Sequence, residues 1–214
     1  MKAIVVLSGG LDSTTALYHS VKHYHEVEAI SFNYGQNHVK ELEFAKFHCA
    51  HLNIKHTIIN LDFSCFESSL LSGGEDIPEG HYEAENMKST VVPFRNGIML
   101  SYAVGYAENC NAQDVILGSH AGDHTIYPDC REIFTHHMNA AAEAGTYNAI
   151  QIVSPFNHLM KWDLVRIGSA LGIDYSKTWS CYKGGEKPCG KCGTCVERIE
   201  AFEKNKLVDP SDYE

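Results

Sequence analysis

Short apolar runs and amphipathic stretches alternate along most of the chain. Five apolar runs are rich in β-branched residues, as buried parallel strands are, and they lie at residues 3–7, 27–32, 56–61, 114–117 and 151–153. Stretches with apolar residues at helical spacing lie between and after them, and they predict helices over residues 12–24, 38–52, 95–110, 131–144 and 161–171. This alternation predicts the α/β class, with a doubly wound, parallel, five-stranded sheet covered by helices on both faces.

The alternation breaks over residues 62–90, where Ser, Gly, Glu and Pro accumulate and periodicity is lost. Loops of this length are uncommon inside compact domains and are usually functional. We therefore expect a lid or an interface segment here, with a short helix around residues 66–71. A second loop is predicted at residues 118–129, and the acidic end at residues 209–214 is predicted to fray.

Length and composition fit one globular domain. The 214 residues are 44% hydrophobic and 21% charged, which is enough to bury a full core, so we expect a single domain over residues 1–214. The formal net charge of −10 argues against tight, sequence-independent binding of nucleic acid, and no nucleic acid partner is expected. Because the chain shows neither an apolar run of membrane-spanning length nor a signal peptide, we expect a cytoplasmic protein with no membrane contact.

A glycine turn, L-S-G-G-L-D-S at residues 7–13, joins the first predicted strand to the first predicted helix. Such a turn directs unpaired backbone N–H groups and the positive end of a helix at one point, which suits a phosphate. Gly9 and Gly10 let phosphate oxygens approach the main chain, and the hydroxyls of Ser8 and Ser13 add donors. Neither G-x-x-x-x-G-K-[ST] nor G-x-G-x-x-G is present. The alternative is a capped strand–helix turn of small residues with no ligand.

The string S-G-G-L-D-S resembles the pyrophosphate-binding loop of the ATP pyrophosphatases, which cleave ATP to AMP and pyrophosphate. The resemblance implies the adenine nucleotide alpha-hydrolase-like fold of the PP-loop ATPases, and in such sheets ligands bind at the carboxyl ends of the strands. It also implies that these residues bind ATP: Leu7, Ser8, Gly9, Gly10, Leu11, Asp12, Ser13 and Thr14. Asp12 is expected to position the Mg²⁺ that accompanies ATP, or to hold the loop.

Four cysteines cluster near the C-terminus with the spacing Cys181-x₇-Cys189-x₂-Cys192-x₂-Cys195. Glycines between the last three let the chain turn so that four thiolates converge on one ion. Four sulfur ligands suit tetrahedral Zn²⁺ and leave no open position, so a structural zinc site is predicted, in a small zinc-binding region at about 176–205. A redox Cys-x-x-Cys pair and an iron–sulfur cluster are the alternatives.

Four further strings extend the resemblance to nearly the whole chain. They are S-F-N-Y-G-Q-N-H at residues 31–38, V-P-F-R-N at 92–96, Y-P-D-C-R-E-I-F at 127–134 and W-S-C-Y-K-G at 179–184. Taken in order with the glycine turn and the cysteines, they resemble the 7-cyano-7-deazaguanine synthase (QueC) family of queuosine biosynthesis. Residues 62–90 match no string of that family.

The resemblance implies an ATP-dependent ligase that converts 7-carboxy-7-deazaguanine and ammonia to 7-cyano-7-deazaguanine and releases AMP and pyrophosphate. A carboxylate does not react with ammonia until one oxygen becomes a leaving group, and an AMP ester provides one. Loss of water from the resulting amide needs the same activation, so one ATP site can serve both steps. The family carries zinc at its cysteine cluster and usually dimerises, so we expect one structural Zn²⁺ per chain, Mg²⁺ with ATP, and a homodimer.

The resemblance and the chemistry of the side chains together suggest the residues of the site. The catalytic candidates are Asp12, Ser13, Arg95, Arg131 and Lys161. The basic ones are expected near the phosphates or the substrate carboxylate, since an arginine fork suits either anion. The substrate-binding candidates are Tyr34, Gln36, Phe94, Tyr127 and Asp129. Asp129 is expected to accept hydrogen bonds from the guanine-like edge, with an aromatic ring stacked on the base.

Several of these residues have a structural alternative. Arg95 is otherwise a surface residue at a helix start, and Asp129 is otherwise the N-cap of the next helix. His19 and His23 lie i, i+4 and form either a metal pair or part of an exposed helix face. Cys130 is either a nucleophile beside an arginine or a buried thiol.

Other functions share the same sequence features. A tRNA-modifying enzyme that inserts sulfur or an amine should show a basic surface or an RNA-binding domain, and the sequence shows neither. Two other enzymes differ from the nitrile-forming one only in their products. One is an amidating synthetase that stops at the amide, as in NAD synthesis. The other is a relative that attaches a deazaguanine to a macromolecule. A nucleotide-binding or zinc-dependent interaction module would release no AMP. We expect free ammonia or a partner to supply the nitrogen, because no glutaminase domain is evident.

Overall fold

Five parallel strands form the central sheet of the computed structural model, which describes residues 1–71, 77–82 and 85–214. The strands are β1 (Lys2–Val6), β2 (Glu26–Asn33), β3 (Lys55–Asn60), β4 (Asp114–Ile116) and β5 (Gln151–Val153). Their order across the sheet is β3-β2-β1-β4-β5, and each neighbouring pair is parallel. The predicted doubly wound α/β sheet is therefore confirmed.

Within the same residues, six α-helices connect and cover the strands. They are α1 (Leu11–His23), α2 (Glu41–His51), α3 (Arg95–Asn109), α4 (Glu132–Gly145), α5 (Lys161–Ala170) and α6 (Gly193–Lys204). The first five lie where helices are predicted, although α2 begins at Glu41 and not at His38. Helix α6 is not among the predicted helices, since its first turn contains Gly193 and Cys195 of the predicted zinc-binding region. None of these helices is both long enough and apolar enough to cross a membrane.

The sheet separates two apolar cores. Side chains alternate along β1, so that Ile4 points into one core while Ala3 and Val5 point into the other. Helices α3 and α4 cover the first core, and helices α1, α2, α5 and α6 contribute to the second. Because β1 is buried on both faces, its sequence is continuously apolar and does not alternate.

Residues 66–71 form turns and not the predicted short helix. The segment runs beside the chain that follows β2, where the backbone N–H of Asn37 donates to the carbonyl of Leu70 at 2.9 Å. The hydroxyl of Ser68 accepts from the backbone N–H of Leu70 at 3.2 Å, and local serine bonds of this kind compete with helix formation. A 3₁₀ helix lies instead at Asn86–Thr90. Parts of the predicted lid, residues 72–76 and 83–84, lie outside the described residues.

The C-terminal end is tied down, and the prediction of a frayed end is wrong. Arg198 of α6 is 1% exposed, and its guanidinium donates to the carboxylate of Asp209 at 2.9 Å and to the carbonyl of Tyr175 at 2.8 Å. The hydroxyl of Tyr213 donates to Asp209 at 2.5 Å. A buried guanidinium must find acceptors, and Asp209 in the tail supplies them.

The connection of the strands creates a crevice at one edge of the sheet. β1 leads into β2 on one side, whereas β4 lies on the other side of β1. In such sheets the ligand binds beyond the carboxyl ends of the strands, at the point where the strand order reverses. Gly118, directly after β4, packs on the start of α1, since a Cβ there would lie 3.0 Å from the Cα of Ser13. The turns after β1 and β4 therefore meet at this crevice.

Candidate active site

Serine hydroxyls close the glycine turn after β1. The Oγ of Ser13 lies 2.9 Å from the Oγ of Ser8, and it accepts from the backbone N–H of Ser8 at 3.1 Å and of Gly9 at 3.3 Å. The backbone N–H of Gly10 points to the Oγ of Ser8 at 3.2 Å. The serine hydroxyls therefore satisfy these three N–H groups and shape the turn, and the start of α1 lies beside them, where a helix end suits a phosphate.

Gly9 is the position in this turn that only glycine can fill. Its φ is +97°, and a Cβ on it would lie 2.1 Å from the carbonyl oxygen of Glu41 at the start of α2. On its other side, the Gly9 carbonyl accepts from the backbone N–H of Trp179 at 3.0 Å. The turn is therefore held between α2 and the segment that leads into the cysteine cluster.

The turn forms one wall of a cavity of about 210 Å³ at the carboxyl ends of β1, β2 and β4. Polar and charged side chains outside the turn also line it: His38, Glu41, Arg95, Asn96, Ser119, Asp123, Lys161, Ser180 and Thr194. Aromatic rings complete the wall: Phe32, Tyr34, Tyr82, Tyr127, Trp179 and Tyr182. Flat aromatic walls beside a phosphate-binding turn suit a nucleotide or a heteroaromatic base.

Lys161 is a buried cation between two carboxylates at the phosphate end of the cavity. Its side chain is 7% exposed, and its Nζ lies 2.6 Å from Oε2 of Glu197 and 3.3 Å from Oδ2 of Asp12. Burial by itself lowers the pKa of Lys161, but the charges of Asp12, Glu197 and Asp123 outweigh burial and raise the pKa above its ordinary value. The ammonium therefore stays charged.

A fully buried histidine, His120, faces the same carboxylates. Its Nδ1 accepts from the backbone N–H of Gly122 at 3.0 Å, so in the neutral ring Nε2 carries the proton. Nε2 lies 3.7 Å from Oδ1 of Asp12, 3.7 Å from Oδ1 of Asp123 and 4.0 Å from Oε1 of Glu197, without a hydrogen bond to any of them. Oδ1 of Asp12 is also buried without a hydrogen-bond partner. These groups surround a polar space that the side chains themselves do not fill.

Arg95 begins α3 and brings a guanidinium to the cavity wall. Its Nη1 donates to the hydroxyl of Tyr34 at 3.0 Å, and in the described residues no carboxylate lies within ion-pair distance of it. The preceding residue, Phe94, has a left-handed backbone with φ of 51°, which is rare for a bulky side chain and marks local strain. The strained turn directs Arg95 inward, while the Phe94 ring is 59% exposed and lies across Gly97.

His38 and Glu41 line the cavity and were missed as site residues by the sequence analysis. Oε1 of Glu41 accepts from Nε2 of Gln36 at 3.3 Å and lies 3.6 Å from Nε2 of His38. Burial raises the pKa of Glu41 to about 8 and lowers the pKa of His38 to about 3. The sequence offered part of the evidence for these two residues. His38 is the last residue of one of the family strings, and Glu41 follows it by one helical turn.

The structure brings most of the predicted site residues to the cavity wall. These are Leu7, Ser8, Gly10, Leu11, Asp12 and Ser13 of the turn, and Tyr34, Arg95, Tyr127 and Lys161 from elsewhere. Two turn residues lie behind the wall: Gly9 packs on α2, and Thr14 is fully buried beneath the turn. These two residues therefore shape the loop and do not line the cavity.

Four predicted residues do not line the cavity, and their expected placement is corrected. Phe94 points outward, as described above. Gln36 accepts from the backbone N–H of Tyr34 at 2.8 Å and supports the chain after β2. Asp129 accepts from the backbone N–H of Asn96 at 2.9 Å, so it satisfies the start of α3 and is not the N-cap of α4. Arg131 is exposed and donates from Nε to a backbone carbonyl at 2.9 Å.

The Cys130 thiol follows its structural alternative, and the two histidines of α1 lie side by side. The Cys130 thiol is buried at the cavity wall, where Nδ2 of Asn96 lies 3.2 Å from it. Burial raises the pKa of this thiol well above its ordinary value, which disfavours the nucleophilic thiolate. The rings of His19 and His23 lie 4.3 Å apart, and within the described residues no third ligand joins them.

The four clustered cysteines form a compact, buried set. Their Sγ atoms all lie within 4.8 Å of one another, and none is in a disulfide. Zn–S bonds of about 2.3 Å in a tetrahedron place sulfurs about 3.8 Å apart, and Sγ of Cys192 and of Cys195 lie 3.5 Å apart. Backbone N–H groups of Cys189 and Cys192 point at ligand sulfurs at 3.4 and 3.3 Å. The donor set therefore fits one metal ion, and the prediction of a metal site is supported.

The cysteine cluster and the cavity share one segment of chain. Residues 179–182 lead into the cluster at Cys181, and Trp179, Ser180 and Tyr182 of this segment line the cavity. The indole N–H of Trp179 donates to the carbonyl of Cys181 at 2.7 Å. A metal held by the cysteines would therefore stabilise one wall of the cavity.

Comparison with known proteins identifies the family of this chain. The family model described as queuosine biosynthesis protein QueC matches residues 2–206. The chain is 51% identical over 215 residues to the 7-cyano-7-deazaguanine synthase of Pseudoalteromonas atlantica, with 100% of this chain and 99% of that protein covered. It is 50% identical over 216 residues to the protein of the same name from Caldicellulosiruptor saccharolyticus, with 100% of this chain and 96% of that protein covered.

Among solved structures, the NMN synthetase of Francisella tularensis has a similar fold. Its TM-score is 0.53 at 18% sequence identity, and the match covers 86% of this chain and 68% of that structure. At that identity the likeness concerns the fold alone. The match of the family model to residues 2–206 and the relatives at about 50% identity confirm the resemblance deduced from the motifs. This chain belongs to the family of queuosine biosynthesis protein QueC.

Proposed function

We propose that this chain converts 7-carboxy-7-deazaguanine and ammonia to 7-cyano-7-deazaguanine at the expense of ATP, releasing AMP and pyrophosphate. One observation carries the proposal. A single cavity joins the glycine turn to aromatic walls and to a guanidinium, that of Arg95, which no described carboxylate neutralises. Relatives named for this reaction, about half identical over the whole chain, support it.

The first step activates the carboxylate of the substrate. One carboxylate oxygen bonds to the α-phosphorus of ATP, while the bond from that phosphorus to the βγ unit breaks and pyrophosphate leaves. The backbone N–H groups of the turn and the hydroxyls of Ser8 and Ser13 hold the leaving group, and Lys161 offsets its charge. Arg95 orients the carboxylate, so catalysis rests on positioning and on electrostatic stabilisation.

The nitrogen enters in the second step. The third step removes the oxygen and the two nitrogen protons of the amide, which together amount to one water. Ammonia attacks the acyl carbon, AMP departs with the electron pair of the C–O bond, and one proton is lost to give the amide. The amide oxygen then bonds to the α-phosphorus of a second ATP, while the bond from that phosphorus to the βγ unit breaks and a second pyrophosphate leaves. Departure of AMP and loss of both nitrogen protons leave the nitrile. The same phosphate site serves both activations, because the leaving groups are identical.

Mg²⁺ suits the carboxylates at the phosphate end of the cavity. Hard cations prefer oxygen ligands, and Asp12 and Asp123 both line the cavity there. Asp12 and Asp123 are the residues that would hold the ion. When bound, Mg²⁺ supplies positive charge to the phosphates of ATP.

Zinc is the metal that we propose for the four cysteines. Four thiolates with no open position suit a structural Zn²⁺, and the role that follows is to stabilise the segment from Trp179 to Tyr182.

We also propose that residues 1–214 act as one domain in a cytoplasmic homodimer without nucleic acid. The net charge of −10 supports the last point, and exposed apolar rings on α3 and before it, Phe94 and Tyr102, support the dimer.

The test is to follow the base by mass spectrometry in the presence of ATP, Mg²⁺, an ammonium salt and 7-carboxy-7-deazaguanine. We expect the amide first, in which amino replaces hydroxyl, and then the nitrile after loss of water. Withholding ammonium should block both products, and glutamine should not replace it. The amide supplied with ATP alone should still give the nitrile, since only dehydration remains.

The nucleotide product and the base product separate the rival functions. AMP and pyrophosphate are expected, and ADP would contradict the assignment of the turn. An amide that accumulates without dehydration would indicate a synthetase that stops at amidation. An unchanged base, despite tight ATP binding, would show that the substrate is a different molecule.

A further inference from the structure

We propose that Glu41 reads the N–H edge of the deazaguanine base and so determines which base the enzyme accepts. The inference rests on the proposed function and assigns a residue that the motifs did not single out. It replaces Asp129, which lies outside the cavity and is already occupied at the start of α3.

The carboxylate of Glu41 is buried without a cation to neutralise it. The residue is 7% exposed, lies in the first turn of α2 and lines the cavity. Among the described residues, the amide of Gln36 donates to it at 3.3 Å and the ring of His38 lies 3.6 Å away, and no described lysine or arginine comes within ion-pair distance. Because a buried carboxylate is costly unless donors satisfy it, the ligand-free chain keeps Glu41 protonated, and a ligand that brings N–H donors to this wall favours the ionised carboxylate.

His38 adds a polar atom without a partner at the same end of the cavity. The residue is 4% exposed, and its Nδ1 is buried without a hydrogen-bond partner. The ring lies 5.3 Å from the ring of Tyr182. A bound base therefore meets polar groups at its edge and an aromatic ring nearby.

The positive group of the cavity is placed apart from Glu41. Arg95 donates to Tyr34 at 3.0 Å and forms no ion pair with Glu41, although both line the same cavity. A cavity with separate anionic and cationic groups complements a flat base that carries a carboxylate on one side and N–H donors on the other. 7-Carboxy-7-deazaguanine has this arrangement, with its ring N–H and its amino group on the pyrimidine edge.

The adenine of ATP fits Glu41 less well. A carboxylate accepts two parallel hydrogen bonds from the ring N–H and the amino group of a guanine-type edge. Adenine presents one amino donor beside a ring nitrogen that only accepts, and this nitrogen would face a carboxylate oxygen. Glu41 therefore favours the deazaguanine over the nucleotide base.

The experiment compares two bases in three proteins by calorimetry. The bases are 7-carboxy-7-deazaguanine and its analogue without the amino group, 7-carboxy-7-deazahypoxanthine. The proteins are wild type, Glu41→Gln and the matched control Glu43→Gln, which changes an exposed glutamate on the same helix. We expect wild type and Glu43→Gln to prefer the amino base by about 10- to 100-fold, as for a hydrogen bond to a charged group. In Glu41→Gln the preference should fall to a few-fold.

A Glu41→Gln protein that keeps the wild-type preference would overturn the inference. A second arm compares the affinities for ATP and for inosine triphosphate. If wild type prefers ATP and Glu41→Gln loses this preference, Glu41 binds adenine, and the inference is also overturned. If Glu41→Gln does not fold, Glu41→Asp keeps the charge at a shorter reach and should show a reduced preference; an unchanged one contradicts the inference. Wild type that binds neither base would instead contradict the proposed function.

Discussion

The backbone N–H of Trp179 donates to the carbonyl oxygen of Gly9 at 3.0 Å, which links the cysteine segment directly to the phosphate-binding turn. The carbonyl of Trp179 also lies close to Gly10, where an added Cβ would be 3.3 Å away. Trp179 in turn donates its indole N–H to Cys181. The cysteine cluster and the turn are therefore mechanically connected, although their residues are about 170 positions apart in the sequence.

This connection predicts that removing the metal weakens ATP binding as well as folding. Cys192→Ser should lose the metal and lower the thermal stability, because metal binding and folding are coupled in such sites. ATP affinity should fall with it, since Trp179 no longer holds Gly9. Metal analysis, thermal unfolding and calorimetry with ATP measure the three effects. Cys65→Ser, at an exposed free cysteine, is the control, and a metal-free Cys192→Ser protein with full stability and affinity would contradict the prediction.

Gly9→Ala should be far more damaging than the same change at Gly80. The two glycines have nearly equal φ values of +97° and +99°, but only at Gly9 does a Cβ meet backbone, at 2.1 Å, while Gly80 has open space. We expect a loss of about 1 kcal/mol at Gly80 from the positive φ alone, and of about 3 kcal/mol or more at Gly9 from added overpacking. Urea unfolding measures both, and equal losses would show that the contact with Glu41 is unimportant.

Lys161→Met should reduce both stability and AMP release. It leaves the carboxylates of Asp12 and Glu197 without their cation, and breaking a buried pair in this way costs about 3–5 kcal/mol. The double variant Lys161→Met/Glu197→Gln removes one uncompensated charge and should recover part of the stability. It should not recover AMP release, because the phosphates still lack the ammonium. Recovery of both would assign Lys161 a purely structural role.

The stability of the ligand-free protein should depend on pH through Glu41. Burial raises the pKa of this carboxyl from 4.5 to about 8 in the folded state, so between these values the folded chain keeps a proton that the unfolded chain has lost. Folding stability contributed at this site therefore falls as pH rises, by up to about 1.4 kcal/mol per pH unit. The stability of Glu41→Gln relative to wild type should grow over this range.

Chemical unfolding of wild type, Glu41→Gln and Glu43→Gln at several pH values from about 5 to about 8 measures this term. Comparison at each pH removes the contribution of the cysteines, which all three proteins share. Glu43 is exposed, so Glu43→Gln should follow wild type. A difference between Glu41→Gln and wild type that does not change with pH would show that Glu41 is ionised in the folded chain.

Features that depend on neighbouring residues could be predicted from the sequence. A strand buried on both faces needs a continuous apolar run, and 3–7 provides it. The turn at Gly9 and Gly10 predicts a phosphate site from a few neighbouring residues. The spacing of the cysteines predicts a metal site in the same way. For the same reason the family strings could be recognised, since each keeps its order along the chain.

Placement of side chains from distant segments was decided only by the tertiary structure. Asp129 lies within a family string and Glu41 lies three residues after another, yet the first satisfies the start of α3 and the second lines the cavity. Glu197 reaches Lys161 because α6 packs against α5, and no local pattern contains that contact. The sequence determined which chemistry is available, and the packing of helices on the sheet determined which groups meet, because burial and charge pairing depend on distances in space.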